Sequence, residues 1–124
     1  PFVYVRSKPK EHGLGNAIEG DLSVLSNVVV IEDLISTGQS SLKAVAELRS
    51  AGVEVKGLLA IFTYGFDAAS KAFEEANCSW ETLTDYSTML DQAMQEGYIT
   101  KDQRVLLDSW NGDPQAWSDK FNGE

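Results

Sequence analysis

Val28–Ser41 reads VVVIEDLISTGQSS, which divides into a strand, a turn and the opening of a helix. Val28–Ile31 is apolar and β-branched without alternation, the pattern of a strand buried on both faces of a parallel sheet. The spacing predicts a central strand over 28–32, ending in the adjacent carboxylates Glu32 and Asp33. A turn, Leu34-Ile35-Ser36-Thr37-Gly38, follows, and a helical pattern opens at Gln39. Ligands of open α/β sheets sit beyond the carboxyl ends of the strands, where the two acids are expected to emerge. Small residues ahead of a helix leave backbone N–H groups free at its positive end, which suits a phosphate. Acids beside a phosphate site make sense if a sugar lies between them. A ribose would donate its vicinal hydroxyls to Glu32 and Asp33 while its 5′-phosphate rests on Ser36, Thr37, Gly38, Gln39, Ser40 and Ser41. The same negative charge suits a cation developing on the sugar ring in a transition state. A bulky side chain at Gly38 is expected to hinder the phosphate and largely to spare the fold. No Lys follows the turn's glycine as in a Walker A loop, and the dinucleotide-binding glycine spacing is absent.

The rest of the chain sets bounds on this reading. Its 124 residues amount to one domain, with 43% hydrophobic and 23% charged residues, so it reads as a soluble globular protein. A net charge of −9 argues against general nucleic-acid affinity. One cysteine, Cys78, permits no intrachain disulfide and favours a reducing compartment. No run is long enough for a membrane span and no signal-peptide pattern opens the chain, so the cytoplasm is expected. Phe2–Val5 reads as a buried strand with nothing before it but Pro1, which points to the later part of a longer protein.

Further elements follow from periodicity and punctuation. Leu22–Leu25 reads as a short strand. A helix over 39–51 carries Leu42, Val45, Ala46 and Leu48 on one face and closes at Gly52. The strand over 53–64 completes a strand–helix–strand unit, hence a parallel crossover. Asp67 is expected to cap a helix reaching about Asn77, with Ala69, Ala72, Phe73 and Ala76 inward. Trp80–Leu83 reads as an edge strand, and Thr84 or Asp85 opens a helix that Gly97 ends. Thr100 with Gln103 fits a capping box for a helix reaching Trp110, and Asp113-Pro114 starts one more, with Trp117 and Phe121 on one face. These last helices carry no recognisable chemistry, and their large rings read as core anchors.

A basic segment stands apart in this acidic chain. Arg6, Lys8 and Lys10, three of its ten Lys and Arg residues, and its one histidine, His12, fall within Tyr4–Gly13. They follow a strand end, and Gly13 and Gly15 behind them would let a lid swing. Cations on a closing loop would stabilise a diphosphate leaving an anomeric carbon and keep water from the activated sugar. Lys8 and Lys10 offer point charges, Arg6 a planar fork, and His12 a proton near neutral pH.

Two resemblances rest on these residues. Val28–Ser41 resembles the phosphoribosyl-pyrophosphate (PRPP) motif of type I phosphoribosyltransferases. Tyr4–Gly13, YVRSKPKEHG, followed by glycines and Ile18-Glu19-Gly20, resembles the flexible catalytic loop of the orotate phosphoribosyltransferases. The resemblance runs from Pro1 to about Asp67. It implies a parallel-sheet α/β core, partial here, with C-terminal helices: a single truncated domain over 1–124, a flexible loop at 6–20 and the PRPP motif at 28–41. It implies transfer of the ribosyl phosphate from PRPP to orotate, giving orotidine 5′-monophosphate and pyrophosphate in pyrimidine synthesis. Mg²⁺ would be bound through PRPP, with no metal site of the protein's own, and a homodimer would exchange loops across its interface. Arg6, Lys10 and His12 would act on the pyrophosphate, with Lys8 in place of a lysine that many members carry at the position of Ser7. Asp33, with Glu32, would serve the ribose in catalysis. Many members also place an arginine against the base just after the strand that ends here in Thr63-Tyr64-Gly65-Phe66, which holds none. Tyr64 and Phe66 read equally as core or as ligand residues. The family's hood and pyrophosphate-binding loop would precede Pro1. Two alternatives stay open: a type I relative acting on another base, and a non-catalytic PRPP or nucleotide sensor.

Overall fold

The computed structural model describes residues 1–6 and 17–122. β1 (Tyr4–Val5) and β2 (Ile18–Glu19) pair antiparallel, Tyr4 opposite Glu19 and Val5 opposite Ile18. The first strand is thus shorter than its apolar sequence suggests. Phe2 is 83% exposed, because β1 pairs with β2 and not with the main sheet. Leu22–Val24 forms a 3-10 turn instead of a strand, since the Asp21 carboxylate accepts from both the backbone N–H and the hydroxyl of Ser23.

The main sheet holds β3 (Asn27–Ile35), β4 (Glu54–Thr63) and β5 (Trp80–Asp85), all parallel and in that spatial order. Helix α1 (Gln39–Ser50) links the first two and α2 (Asp67–Glu75) the second two. Val45 of α1 and Ala69 and Phe73 of α2 pack with Ile35, Leu58, Ala60 and Cys78 into one core cluster. Phe73 stacks on Trp80, with ring centroids 4.8 Å apart, which fastens α2 to β5.

Three expectations for β3 need correction. It continues past the acidic pair to Ile35, because Leu34 and Ile35 still pair with Phe62 and Thr63. It lies at an edge of the described sheet, and β4 is central. It is covered on one face only: alternation puts Val30 toward the helices, while Val29 and Ile31, the latter 71% exposed, share the opposite face with the exposed Leu59 and Ile61.

The later part follows its punctuation closely. Asp85 caps α3 (Tyr86–Gln95) by accepting from the Thr88 N–H at 2.8 Å. Thr100 and Gln103 form both bonds of the capping box on α4 (Lys101–Gly112), which outlasts Trp110 by two residues. Asp113 accepts from the Ala116 N–H ahead of α5 (Pro114–Asn122). At α2 the cap position belongs to Phe66, with no side-chain bond. Asp67 sits in the first helical turn, where its charge suits the helix dipole.

Candidate ribose-phosphate site

The junction of β3 and α1 carries Glu32, Asp33 and the turn residues Ser36 to Ser41 in one continuous stretch. Gly38 occupies the cap position of α1 with φ +79°, in the left-handed region, and no side chain caps the helix there. A Cβ built on Gly38 would lie 2.8 Å from Cε2 of Phe73. Both the backbone angle and the space therefore require glycine. This changes the expected effect of substitution: the fold, as well as a ligand, depends on Gly38. Gly38→Ala should lower stability by about 1–3 kcal/mol in a urea titration, since a left-handed non-glycine residue and a ring displacement both cost energy.

The first helical bond runs from the Leu42 N–H to the Gly38 carbonyl at 2.9 Å. The N–H groups of Gln39, Ser40 and Ser41 precede it and have no acceptor within the helix, as at any helix start. Ser41 is buried, whereas Ser36, Thr37, Gln39 and Ser40 are exposed. Short polar side chains, an uncapped first turn and the positive end of a 12-residue helix together suit an anion.

Glu32 and Asp33 stand three and two residues before the end of β3. Successive strand residues leave on opposite faces. Glu32, paired with Ala60, is on the helix-covered face and half-buried, and Asp33 is exposed on the other. Glu32 also borders a groove of about 440 Å³ between residues 1–5 and 27–31. Arg6 is committed elsewhere: its Nε donates to Glu19 Oε1 at 2.5 Å across the base of the β1–β2 pair. That bond first, and the Glu19 charge second, raise the Arg6 pKa above its ordinary value. Lys8, Lys10 and His12 lie outside the described residues.

A second wall comes from the end of β4. The Tyr64 N–H donates to the Ile35 carbonyl at 3.1 Å, joining the turn after β4 to the residue before Ser36. The Tyr64 ring stacks on Phe66, with centroids 5.4 Å apart and planes 9° from parallel, and meets Tyr86 and Trp110 edge-on or tilted. Tyr64 is thus a half-buried member of a ring cluster, while Phe66 belongs to the cluster and also lines open space. That space is a cavity of about 660 Å³ bordered by Thr37, Gly65, Phe66, Asn111 and Pro114. The sequence marked Trp110 as a core anchor, which its place in the ring cluster matches, but gave no sign of Asn111, because an amide on an amphipathic helix carries no local mark of what it will meet.

Comparison with known proteins extends the motif resemblance well past Asp67. The chain is 56% identical to an orotate phosphoribosyltransferase of Phocaeicola vulgatus over 117 residues, 94% of this chain and 55% of the relative. It thus spans about half the length of the curated relatives it matches. Among solved structures, UMP synthase of Leishmania donovani superposes with a TM-score of 0.70 at 29% identity, covering 89% of this chain and 23% of that one. Orotate phosphoribosyltransferase of Mycobacterium tuberculosis in complex with PRPP superposes with a TM-score of 0.51 at 29% identity, covering 57% of this chain and 42% of that one. No family model matches the chain. The resemblance read from the motifs holds across nearly the whole sequence: this chain is a relative of the orotate phosphoribosyltransferases. Its parallel sheet with flanking helices is a type I phosphoribosyltransferase core, and a match of 117 residues takes in α3 and α4 as well.

Proposed function

We propose that the whole protein to which these residues belong is an orotate phosphoribosyltransferase, converting orotate and PRPP to orotidine 5′-monophosphate and pyrophosphate. The observation that carries this reading is the β3–α1 junction, where Glu32 and Asp33 lead into a glycine-shaped, uncapped helix start. In this reading the N–H groups of the turn and first helical residues hold the 5′-phosphate, and Glu32 and Asp33 accept from the ribose hydroxyls. The bond from the anomeric carbon to the diphosphate oxygen breaks, its electron pair leaving with the diphosphate. The bond to N1 of orotate forms from the nitrogen's own pair as N1 gives up its proton, which passes to solvent or to the departing diphosphate. The substrate supplies the nucleophile, and the protein's part is to position both partners and to stabilise charge.

Arg6, Lys8, Lys10 and His12 receive the leaving diphosphate in this account. Arg6 must then trade Glu19 for phosphate oxygens, an exchange that favours the more highly charged diphosphate over a single carboxylate. Mg²⁺ enters chelated by PRPP as part of the substrate. Chelation with EDTA should therefore abolish turnover, and added Mg²⁺ should restore it. Persistence of the rate in EDTA would remove the ion from the reaction. We place the enzyme in the cytoplasm as a homodimer whose loops at 6–20 cross between subunits. No helix among the described residues is long and apolar enough to cross a membrane.

The deciding experiment incubates the full-length protein with PRPP, Mg²⁺ and orotate and measures orotidine 5′-monophosphate and pyrophosphate formed in equal amounts. Parallel reactions with uracil and purine bases test the alternative that Tyr64-Gly65, standing where many members place an arginine, marks a different base. Product with another base and none with orotate would establish that alternative. PRPP binding without turnover of any base would establish the sensor.

A further inference from the structure

We propose that Asn111 is a positioning residue for the phosphate turn, acting through Tyr64, so that the C-terminal helices help to set the affinity for PRPP. This deepens the PRPP reading above and rests on it. The linkage consists of two consecutive hydrogen bonds. Asn111 Nδ2 on α4 donates to the Tyr64 carbonyl at 2.9 Å. The Tyr64 N–H donates to the Ile35 carbonyl at 3.1 Å, and Ile35 is followed directly by Ser36, Thr37 and Gly38.

The position of the first bond gives it leverage. The β4 ladder ends with Thr63, opposite Ile35, so the Tyr64 carbonyl lies beyond strand pairing. Gly65 follows with φ +73°; beyond its chain neighbours no atom lies within 4 Å of where a Cβ would stand, and its N–H donates to Thr63 Oγ1 at 3.0 Å. Thr63 thus holds the turn from within β4, and Asn111 supplies its side-chain tie to the C-terminal helices. The rings reinforce the anchor: Trp110, next to Asn111, lies 5.6 Å from both Tyr64 and Tyr86. The Tyr86 hydroxyl donates to the Leu107 carbonyl at 3.2 Å, tying α3 to α4 one turn earlier. Thr37, Gly65, Phe66 and Asn111 border the same cavity, so a shift of the turn changes the space beside the phosphate turn directly.

The test uses the full-length enzyme with Asn111→Leu, which keeps the side-chain outline and removes the donor, and Asn111→Asp, which sets a carboxylate oxygen against the Tyr64 carbonyl. The Kd for PRPP, measured by calorimetry, should rise about three- to tenfold in Asn111→Leu, the span of one neutral hydrogen bond, and at least as much in Asn111→Asp. The kcat should stay within about twofold, because Glu32, Asp33 and the basic loop are untouched. The thermal midpoint, measured alongside, separates positioning from loss of fold, and if Asn111→Leu fails to fold the polar Asn111→Asp and Asn111→Ser carry the comparison. Wild-type binding with an unchanged Kd in the variants overturns the inference and leaves the PRPP reading standing. So does a fall in kcat at unchanged Kd. A wild-type enzyme that does not bind PRPP overturns both.

Discussion

Replacing Glu32 with Gln and Asp33 with Asn together in the full-length enzyme should lower kcat by about 10²–10³-fold while raising the Kd for PRPP by less than about tenfold. The amides keep hydrogen-bonding capacity toward the ribose hydroxyls, so much of the ground-state contact survives. They lose the negative charge, whose value is greatest when the anomeric carbon becomes cationic in the transition state. Alternation along β3 sharpens the expectation: Glu32 and Asp33 leave the strand on opposite faces, so neither side chain can take over the other's position. Each single variant should therefore be impaired. Steady-state kinetics combined with calorimetric PRPP binding separates the two effects. A raised KM with kcat untouched would assign the acids to binding alone.

The local features of this site were readable because they depend on neighbours in sequence. An apolar run, two acids, a small-residue turn and a helix start are fixed within fourteen residues, and the turn needs its glycine for a backbone reason, φ +79°. The capping box at Thr100 and Gln103 and the helix-ending glycines at 52 and 97 are local in the same sense, and both glycines take positive φ. The strand's reach was harder to read. Leu34 and Ile35 follow a pair of acids and look like turn residues, yet their backbones continue to pair because Phe62 and Thr63 lie alongside. Edge position and one-sided cover are properties of what packs nearby, and Val29 and Ile31 have the same residue types whether covered or bare. The tie from Asn111 to Tyr64 spans 47 residues, and nothing in either neighbourhood announces it. Phe73 beneath Gly38 is a similar case: it read correctly as an inward residue of α2, but its partner did not show until the two helices were placed.

Lys10→Ala in the full-length enzyme should reduce turnover by about 10²–10³-fold, and mixing it with an equal amount of Asp33→Asn enzyme should restore activity. The first expectation follows from charge. A diphosphate carries several negative charges away from carbon, in a protein whose net charge is −9, and the loop sequence supplies the cations. The second follows from the stem on which that loop is mounted. β1 and β2 form only a two-residue antiparallel pair clasped by Arg6 and Glu19, and twelve residues separate Val5 from Ile18. With its two ends held side by side, a twelve-residue connection reaches at most about 20 Å, enough to cross a subunit boundary that lies near it. If it serves the neighbouring site, a hybrid dimer contains one site with both parts intact, taking its loop from the Asp33→Asn chain and its acidic pair from the Lys10→Ala chain. Its other site carries both defects. With free exchange, roughly half of the dimers are hybrids with one working site of two, so recovery should approach roughly a quarter of wild-type activity. If the loop serves its own subunit, every site in the mixture retains a defect and nothing is regained. Subunit exchange is established independently by differently tagged chains in a pull-down. Activity that stays at the level of the separate mutants, in a mixture proven to exchange, would assign the loop to its own protomer.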